Sequence, residues 1–310
     1  GLTAVPPSGK LLGGNELNYM VEASLDGWLT TGRFNDQFEV KLAEFLGVKH
    51  LITVNSGSSA NLIAFSCLTS PRLGAKAIQP GDEVIAVAAG FPTTVNPILQ
   101  FGAVPVFVDV EIGTYNIAAE QIEAAISSRT KAIMLAHTLG NPFNLSVIQA
   151  LCQKYDLWLV EDCCDALGST YDGKALGGFG ELASCSFYPA HHMTMGEGGF
   201  VACKTQLQEI ITRSFREWGR GCYCVGKKAN LLKNGSCGKR FSNWLPELPD
   251  EEFDHKYIYD EMLHNVQLFK AEQNPNIKGI TFSFKRNDKV KTPGQPDVDT
   301  VSFLSDTVLH

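Results

Sequence analysis

Between residues 38 and 204, short apolar runs alternate with longer segments in which apolar residues recur at helical spacing. The short runs are continuously apolar, which is typical of strands that are covered on both faces. The predicted strands are residues 50–54, 82–87, 104–110, 131–137, 157–161, 183–188 and 199–203. The predicted helices are residues 56–68, 94–101, 118–127, 145–155 and 206–218. Repeated strand–helix units favour an α/β fold, with a mostly parallel sheet and helices on both faces.

The pattern changes character after residue 219 and divides the chain into three parts. Residues 1–219 are predicted to form the large α/β domain. Residues 220–268 carry cysteine, lysine and glycine, with a helical pattern at residues 256–268. Residues 269–310 are polar and punctuated by proline and glycine, so no element is assigned to this tail.

Composition excludes several classes of protein. The 310 residues are 44% hydrophobic and 19% charged, which excludes an intrinsically disordered chain. The net charge of −7 argues against non-specific binding to nucleic acid. No apolar run approaches the ~20 residues of a membrane-spanning helix, and residues 1–10 lack the features of a signal peptide. We therefore expect a cytoplasmic protein with no nucleic-acid or membrane partner.

The chain has nine cysteines, and an odd number without a secretion signal argues against a disulfide framework. Most of them lie in apolar runs, which is typical of reduced, buried thiols. Cys222, Cys224 and Cys237 differ, because they crowd into 16 positions of a polar segment.

Two short motifs follow predicted strands. The first is Asn55-Ser56-Gly57-Ser58-Ser59-Ala60-Asn61, which opens a helix. Small residues and the free N–H groups of a helix start can bind phosphate, although a Ser- and Gly-rich helix cap has the same pattern. The second is Val160-Glu161-Asp162, at the sheet edge where α/β proteins bind ligands. Its carboxylate could pair with a cationic ring nitrogen, but spacing alone favours a solvated acidic loop.

A third motif surrounds a pair of histidines. Residues 186–192 read Ser-Phe-Tyr-Pro-Ala-His-His, and a glycine-rich turn follows at residues 196–199. In pyridoxal phosphate (PLP) enzymes a lysine commonly follows such a strand and forms a Schiff base with the cofactor. Here His191 occupies that position. A pair of structural or surface histidines is the alternative interpretation.

Taken together, the motifs resemble the DegT/DnrJ/EryC1/StrS family of sugar aminotransferases and dehydratases, which are fold-type I PLP enzymes. The resemblance covers residues 5–265 and includes Gly90-Phe91-Pro92-Thr93-Thr94 and residues 160–168. Within the family, the chain is similar to the iron–sulfur 3-dehydratases that act on CDP-4-keto-6-deoxy-D-glucose in lipopolysaccharide 3,6-dideoxyhexose biosynthesis. That finer resemblance depends on His191, on the doublet Cys163-Cys164, and on the cysteines at 222, 224 and 237.

The resemblance implies a cofactor site. Gly57, Ser58 and Ser186 would hold the phosphate, Phe91 would stack on the pyridine ring, and Asp162 would pair with the ring nitrogen. Asn265 would reach the phosphate of the partner subunit in a homodimer.

The histidine in the lysine position implies the amine form of the cofactor. Because His191 cannot form the Schiff base, pyridoxamine 5′-phosphate (PMP) would be held non-covalently. His191 would act as the base, since the unperturbed pKa of histidine, ~6.5, lies near neutral pH. His192 is a neighbouring candidate for the same role.

The resemblance also implies a metal centre. Cys164, Cys222, Cys224 and Cys237 would ligate a [2Fe–2S] cluster, which takes four thiolates. The 12 residues between Cys224 and Cys237 exceed the corresponding gap in the family, and a structural zinc with the same four cysteines is the alternative. A flavin- and iron–sulfur-containing reductase would supply electrons. The lysines near these cysteines form either a docking patch for that partner or a solvated lysine-rich loop; they are Lys227, Lys228, Lys233 and Lys239.

Two other functions stay open. An ordinary PLP-dependent nucleotide-sugar aminotransferase is disfavoured, because residues 188–193 contain no lysine. A non-catalytic homologue is the second open function. It stays open because the family pattern of a second, C-terminal domain is not recognised beyond residue 268.

Overall fold

The structure is a computed structural model that describes residues 8–9, 11–28 and 30–217. The predicted boundaries at residues 219 and 268 and the helix at 256–268 lie outside the described residues. The domain organisation therefore stays a prediction.

A seven-stranded sheet forms the centre of the described part. Its strands are β1 (His50–Val54), β2 (Glu83–Val87), β3 (Val104–Val108), β4 (Thr130–Ala136), β5 (Trp158–Asp162), β8 (Leu182–Ser186) and β9 (Gly199–Cys203). They are arranged in the order β1-β9-β8-β5-β4-β2-β3. A separate two-stranded ribbon pairs β6 (Thr170–Tyr171) with β7 (Lys174–Ala175).

Strand directions confirm the predicted fold class. The pairs β2–β3, β2–β4, β4–β5 and β5–β8 are parallel. Only β9 runs against its neighbours, and it pairs antiparallel with both β1 and β8. It can do so because it follows β8 through a loop with no helix, whereas parallel neighbours need a crossover connection.

Seven α-helices accompany the sheet in the described part. They are α1 (Gly14–Leu25), α2 (Arg33–Leu46), α3 (Gly57–Leu68), α4 (Pro92–Gln100), α5 (Ala119–Ala125), α6 (Leu145–Tyr155) and α7 (Gln206–Arg216).

The helices cover both faces of the sheet and bury two separate clusters. Leu42 of α2, Ile122 of α5 and Ile148 of α6 belong to the cluster on one face. Phe65 of α3 and Ile211 of α7 belong to the cluster on the other. Successive strand residues alternate between the clusters, as the two-residue period of a strand requires. This explains why the strands are continuously apolar.

The predicted helix at residues 145–155 is confirmed with the same bounds. The Asn144 side chain accepts a hydrogen bond from the Val147 N–H at 3.2 Å and caps the helix start. At the other end, Asp156 adopts a left-handed conformation with φ of 52° and stops the helix.

Two helices near the start of the chain were not predicted. Helix α1 has no buried residue. Its apolar side chains therefore need not recur at the spacing that is typical of a helix packed on a core. Helix α2 buries Leu42, Ala43 and Leu46 against the sheet, but its high content of polar residues weakens the apolar signal. None of the helices in the described residues is long and apolar enough to cross a membrane.

Core packing predicts a contrast between two isoleucines. Ile133 lies in the interior strand β4 and is fully buried, whereas Ile112 is 94% exposed. Ile133→Ala should lower the free energy of unfolding by about 2–5 kcal/mol, because it removes buried methyl groups and leaves a cavity. Ile112→Ala should change it by less than about 0.5 kcal/mol. Urea unfolding followed by circular dichroism measures both, and equal effects would contradict the described packing.

Candidate functional site

The buried carboxylate of Asp162 ends strand β5 and connects three elements. Its Oδ2 accepts hydrogen bonds from the Asn61 side-chain amide at 2.8 Å and from the Thr94 hydroxyl at 2.7 Å. Its Oδ1 accepts one from the Cys164 backbone N–H at 3.1 Å. Asn61 is itself held by the Ser184 hydroxyl, which donates to its Oδ1 at 2.5 Å. The Cys164 thiol also hydrogen-bonds to this carboxylate, so four donors meet the about four lone-pair sites that a carboxylate offers.

The adjacent residue Glu161 points to the opposite face and is already saturated. It accepts hydrogen bonds from the backbone N–H groups of Gly177, Phe179 and Gly180. Its Oε2 also lies 3.1 Å from His137 Nε2. Glu161 and Asp162 are 0% and 4% exposed, so the alternative of a solvated acidic loop is wrong.

His137, Glu161 and Cys163 form a buried group with metal-ligand chemistry. Their ligand atoms lie within 4.8 Å of one another. The Glu161 carboxylate already has four hydrogen-bond partners. The His137 ring stacks on the Phe143 ring, with 4.0 Å between the ring centroids. Its Nδ1 has no hydrogen-bond partner among the described residues. We interpret this group as structural.

Helix α3 begins at the same sheet edge, and its first residue approaches β8 closely. A β-carbon at Gly57 would lie 2.4 Å from the Ser186 β-carbon and 3.2 Å from the Cys164 Sγ. Only glycine fits there. The Ser56 side chain accepts a hydrogen bond from the Ser59 N–H at 3.1 Å, and the next free N–H groups of the helix start have no intrahelical partner. These amides form a cradle for an anion.

Ser186 completes this cradle. Its hydroxyl oxygen accepts a hydrogen bond from the Tyr188 N–H at 3.2 Å, so its proton stays able to bond a ligand. Gly199 lets its own backbone pack closely against Cys185 and Ser56. A β-carbon at Gly199 would lie 2.6 Å from the carbonyl oxygens of both residues. Ser58 is exposed next to Gly57. The structure thus brings together the three predicted phosphate-binding residues.

Phe91 lies at the start of α4 and is 68% exposed. Its helix also carries Thr94, the donor to Asp162. An exposed aromatic ring three residues before a donor to Asp162 is consistent with the predicted stacking on a cofactor ring, which stays a prediction.

The two histidines of the β8–β9 loop differ in their surroundings. His191 is partly buried, and its Nδ1 lies 3.2 Å from Asp165 Oδ1. His192 is exposed. The structure therefore distinguishes the neighbouring candidates and favours His191 as the residue with a defined position.

The cysteine doublet is also asymmetric. Cys163 is fully buried, and burial raises the pKa of its thiol. Cys164 is partly buried beside Gly57, and burial together with the Asp162 charge raises the pKa of its thiol well above the ordinary value. Cys164 is thus a protonated thiol at neutral pH, and binding a metal ion there would require the loss of this proton. The other predicted ligands, Cys222, Cys224 and Cys237, and the predicted cofactor residue Asn265 lie outside the described residues.

Sequence reasoning missed four residues that build this site. Asn61 and Thr94 orient Asp162, Asp165 contacts His191, and His137 contacts Glu161. Asn61 carried a signal, because it is a polar residue within the apolar run that follows Ala60. The contacts of the others join distant parts of the chain and have no local signature.

The geometry agrees with comparisons to known proteins. Residues 11–237 match the DegT/DnrJ/EryC1/StrS aminotransferase family. The Lipopolysaccharide biosynthesis protein RfbH of Salmonella typhimurium is 60% identical over 268 residues, which are 86% of this chain and 60% of that protein. A dTDP-4-dehydro-2,6-dideoxy-D-glucose 3-dehydratase of Saccharopolyspora spinosa is 49% identical over 86% of this chain and 56% of its own length. The chain thus spans less than two thirds of these relatives.

A solved structure has the same fold. It is the Escherichia coli GDP-4-keto-6-deoxy-D-mannose-3-dehydratase with bound hydrated PLP, which has a TM-score of 0.61 and 32% identity. The similarity covers 68% of this chain and 53% of that one. The family match, the identities and the shared fold agree, and the chain belongs to the DegT/DnrJ/EryC1/StrS aminotransferase family.

Proposed function

We propose that this protein is a PMP-dependent 3-dehydratase of a nucleotide-linked 4-keto-6-deoxyhexose, CDP-4-keto-6-deoxy-D-glucose. The observation that carries the proposal is His191, a partly buried histidine in the position where aminotransferases have lysine. A histidine can move a proton but cannot bind the cofactor covalently. Relatives named as sugar 3-dehydratases support the reaction class.

The described residues fit the cofactor. Asp162 would accept from the ring nitrogen at the site that the Cys164 thiol vacates when it loses its proton to a metal, since three donors occupy its other sites. Gly57 and Ser186 form the anion cradle, and Ser58 lies at its open side. Phe91 is available to cover the ring. When bound, PMP supplies a primary amine for the C4 carbonyl of the sugar and an electron-withdrawing ring.

The residues of the chain bind and orient the cofactor and transfer the proton. Asp162 holds the ring nitrogen in its protonated form, because a carboxylate favours a positive charge beside it. The cradle anchors the phosphate and sets the orientation of the ring. His191 accepts a proton on a ring nitrogen while the C3 hydroxyl of the sugar leaves. All three lie at the carboxyl edge of the sheet, where α/β proteins bind ligands.

The proposal includes a [2Fe–2S] cluster on Cys164, Cys222, Cys224 and Cys237. Replacement of the C3 hydroxyl by hydrogen requires two electrons, and such a cluster transfers them one at a time. A flavin- and iron–sulfur-containing reductase would be the electron donor. The raised pKa of the Cys164 thiol means that cluster binding releases its proton. We also propose a homodimer in which Asn265 contacts the partner's cofactor.

A sugar aminotransferase is the second candidate function. It is favoured by relatives such as the GDP-perosamine synthase of Vibrio cholerae, which is 36% identical over 68% of this chain. The absence of a lysine at residues 188–193 argues against it.

Replacement of the histidine by lysine distinguishes the two functions. His191→Lys should bind PLP covalently, because the lysine amine then lies beside the cofactor site. Borohydride reduction followed by intact mass spectrometry should detect the adduct in this variant and not in the unmodified protein. His192→Lys is the matched control, since His192 is exposed. An adduct in the control alone would make His192 the base, and an adduct in the unmodified protein would contradict a PMP-dependent dehydratase.

A substitution at Gly57, which packs closely against Ser186, tests the anion cradle. Gly57→Ala should weaken PMP binding at least about tenfold, or about 1.4 kcal/mol, because its β-carbon would displace Ser186. Gly178→Ala is the control, since a β-carbon there meets only ordinary contacts at 3.5 Å or more. Isothermal titration calorimetry with PMP measures both. Unchanged affinity in a folded Gly57→Ala protein would show that the cofactor binds elsewhere.

The metal centre is tested with two cysteines. Protein purified without oxygen should contain iron and absorb visible light, and Cys164→Ser should lose both because a cluster ligand is missing. Cys152→Ser, in helix α6, should keep them. Iron analysis and visible spectroscopy provide the readout. Zinc in place of iron, or iron retained by Cys164→Ser, would contradict the proposed cluster.

A further inference from the structure

Leu139 has an exposed apolar side chain on a strained backbone. It comes three residues after strand β4 and is 79% exposed, and its φ of 55° and ψ of 27° are left-handed. Aspartate tolerates this conformation, whereas a bulky apolar residue adopts it at a cost in stability. Because a residue this exposed buries little apolar area, packing within the fold does not explain why a leucine is at this position.

The loops on either side force this conformation on Leu139. The Asn116 side chain bonds both of its flanks, since its Oδ1 accepts from the Thr138 N–H at 3.1 Å and its Nδ2 donates to the Asn141 carbonyl at 3.0 Å. The next residue, Gly140, packs against the loop after β5, where a β-carbon would lie 2.8 Å from a backbone carbonyl oxygen. Strained residues persist where the surrounding structure leaves no alternative, and they concentrate at ligand sites.

The strand order places Leu139 in the middle of the proposed cofactor site. Asp162 ends β5 and Phe91 follows β2, and β4 is the strand between β5 and β2. The His137 N–H donates to the Asp162 carbonyl at 3.1 Å, and Leu139 is two residues, or at most about 7 Å of chain, beyond His137. A molecule that pairs with Asp162 and stacks on Phe91 therefore lies across the end of β4.

We infer that Leu139 is a specificity-determining residue that packs against the C6 methyl group of the sugar, an inference that rests on the proposed function. A 4-keto-6-deoxyhexose has one methyl group, two bonds from the C4 carbonyl carbon that the cofactor amine meets. Asp162, the proposed partner of the cofactor ring, is 4% exposed, whereas Leu139 is 79% exposed. The leucine therefore suits the outer ligand, the sugar, better than the ring.

This contact would select for a sugar without a hydroxyl at C6. Packing the methyl group on the leucine removes apolar area of both groups from water. A hydroxymethyl group in the same place would bring a hydroxyl against the leucine, where it loses hydrogen bonds to water. We expect a discrimination of about tenfold, the lower end of what a methylene-sized difference gives in an apolar pocket.

Two unreactive nucleotide sugars test the contact. CDP-6-deoxy-D-glucose and CDP-D-glucose differ only at C6, and neither has the C4 carbonyl, so isothermal titration calorimetry on the full-length, PMP-loaded protein measures binding alone. The unmodified protein should bind CDP-6-deoxy-D-glucose about tenfold more tightly, and Leu139→Gly should reduce this preference to less than about threefold. Leu139→Met, which keeps an apolar side chain, should retain most of the preference.

Urea unfolding without ligand gives a second readout. Leu139→Gly should unfold at a higher urea concentration, because glycine adopts the left-handed conformation without steric cost. The matched control is Asp172→Gly, since Asp172 has a φ of 49° in the turn between β6 and β7. It should change the unfolding midpoint little and keep the sugar preference, because aspartate is tolerated in such turns. A lower midpoint in Leu139→Gly would show that the leucine supports the fold and would overturn its assignment to the ligand.

The binding results separate this inference from the proposed function. Binding without a preference in the unmodified protein, or a preference unchanged in Leu139→Gly, overturns the role of Leu139 and leaves the proposed function standing. Weaker PMP binding by Leu139→Gly with an unchanged sugar preference places the leucine against the cofactor and also overturns the sugar contact. If the unmodified protein binds neither nucleotide sugar, the proposed function is overturned together with this inference.

Discussion

The burial of two successive carboxylates at the end of β5 is the constraint on which the site depends. Removing a charge from water costs several kcal/mol unless hydrogen bonds replace the lost hydration. Glu161 and Asp162 point to opposite faces of the sheet, so each needs its own donors. Glu161 recruits the loop at Gly177 and Gly180 together with His137, and Asp162 recruits helices α3 and α4. The layers on both faces are thereby held to the same strand end.

This arrangement ties the site to two packed helices. Asn61 and Thr94 lie on helices that also contribute to the apolar cluster on that face. A shift of either helix would leave a buried carboxylate short of donors, which is costly. The same close packing brings Gly57 against Ser186 and places Cys164 beside both. The residues proposed to bind the phosphate and the metal ion therefore lie next to one another.

The two histidine–carboxylate pairs contain the same kinds of side chain but differ in burial. His137 is stacked on Phe143 and sealed from solvent, and its carboxylate partner is saturated by backbone amides. That pair can only stabilise the edge of the sheet. Asp165 and His191 lie in loops and are partly exposed, so a ligand can approach them. Burial, and not residue type, separates the sealed pair from the pair that a ligand can reach.

The sequence by itself determined the sheet and most of its helices, because continuous apolar runs and local caps such as Asn144 are properties of neighbouring residues. It also determined the family, because the motifs at Gly57, Asp162 and His191 are contiguous. Only the tertiary structure decided that β9 reverses and that α1 and α2 exist. It also decided that Cys164, not Cys163, lies at the cradle. The strand order decided these contacts, since it places Asn61 beside Asp162, which is 101 residues away in the sequence. A local sequence pattern contains no information about contacts between residues so far apart.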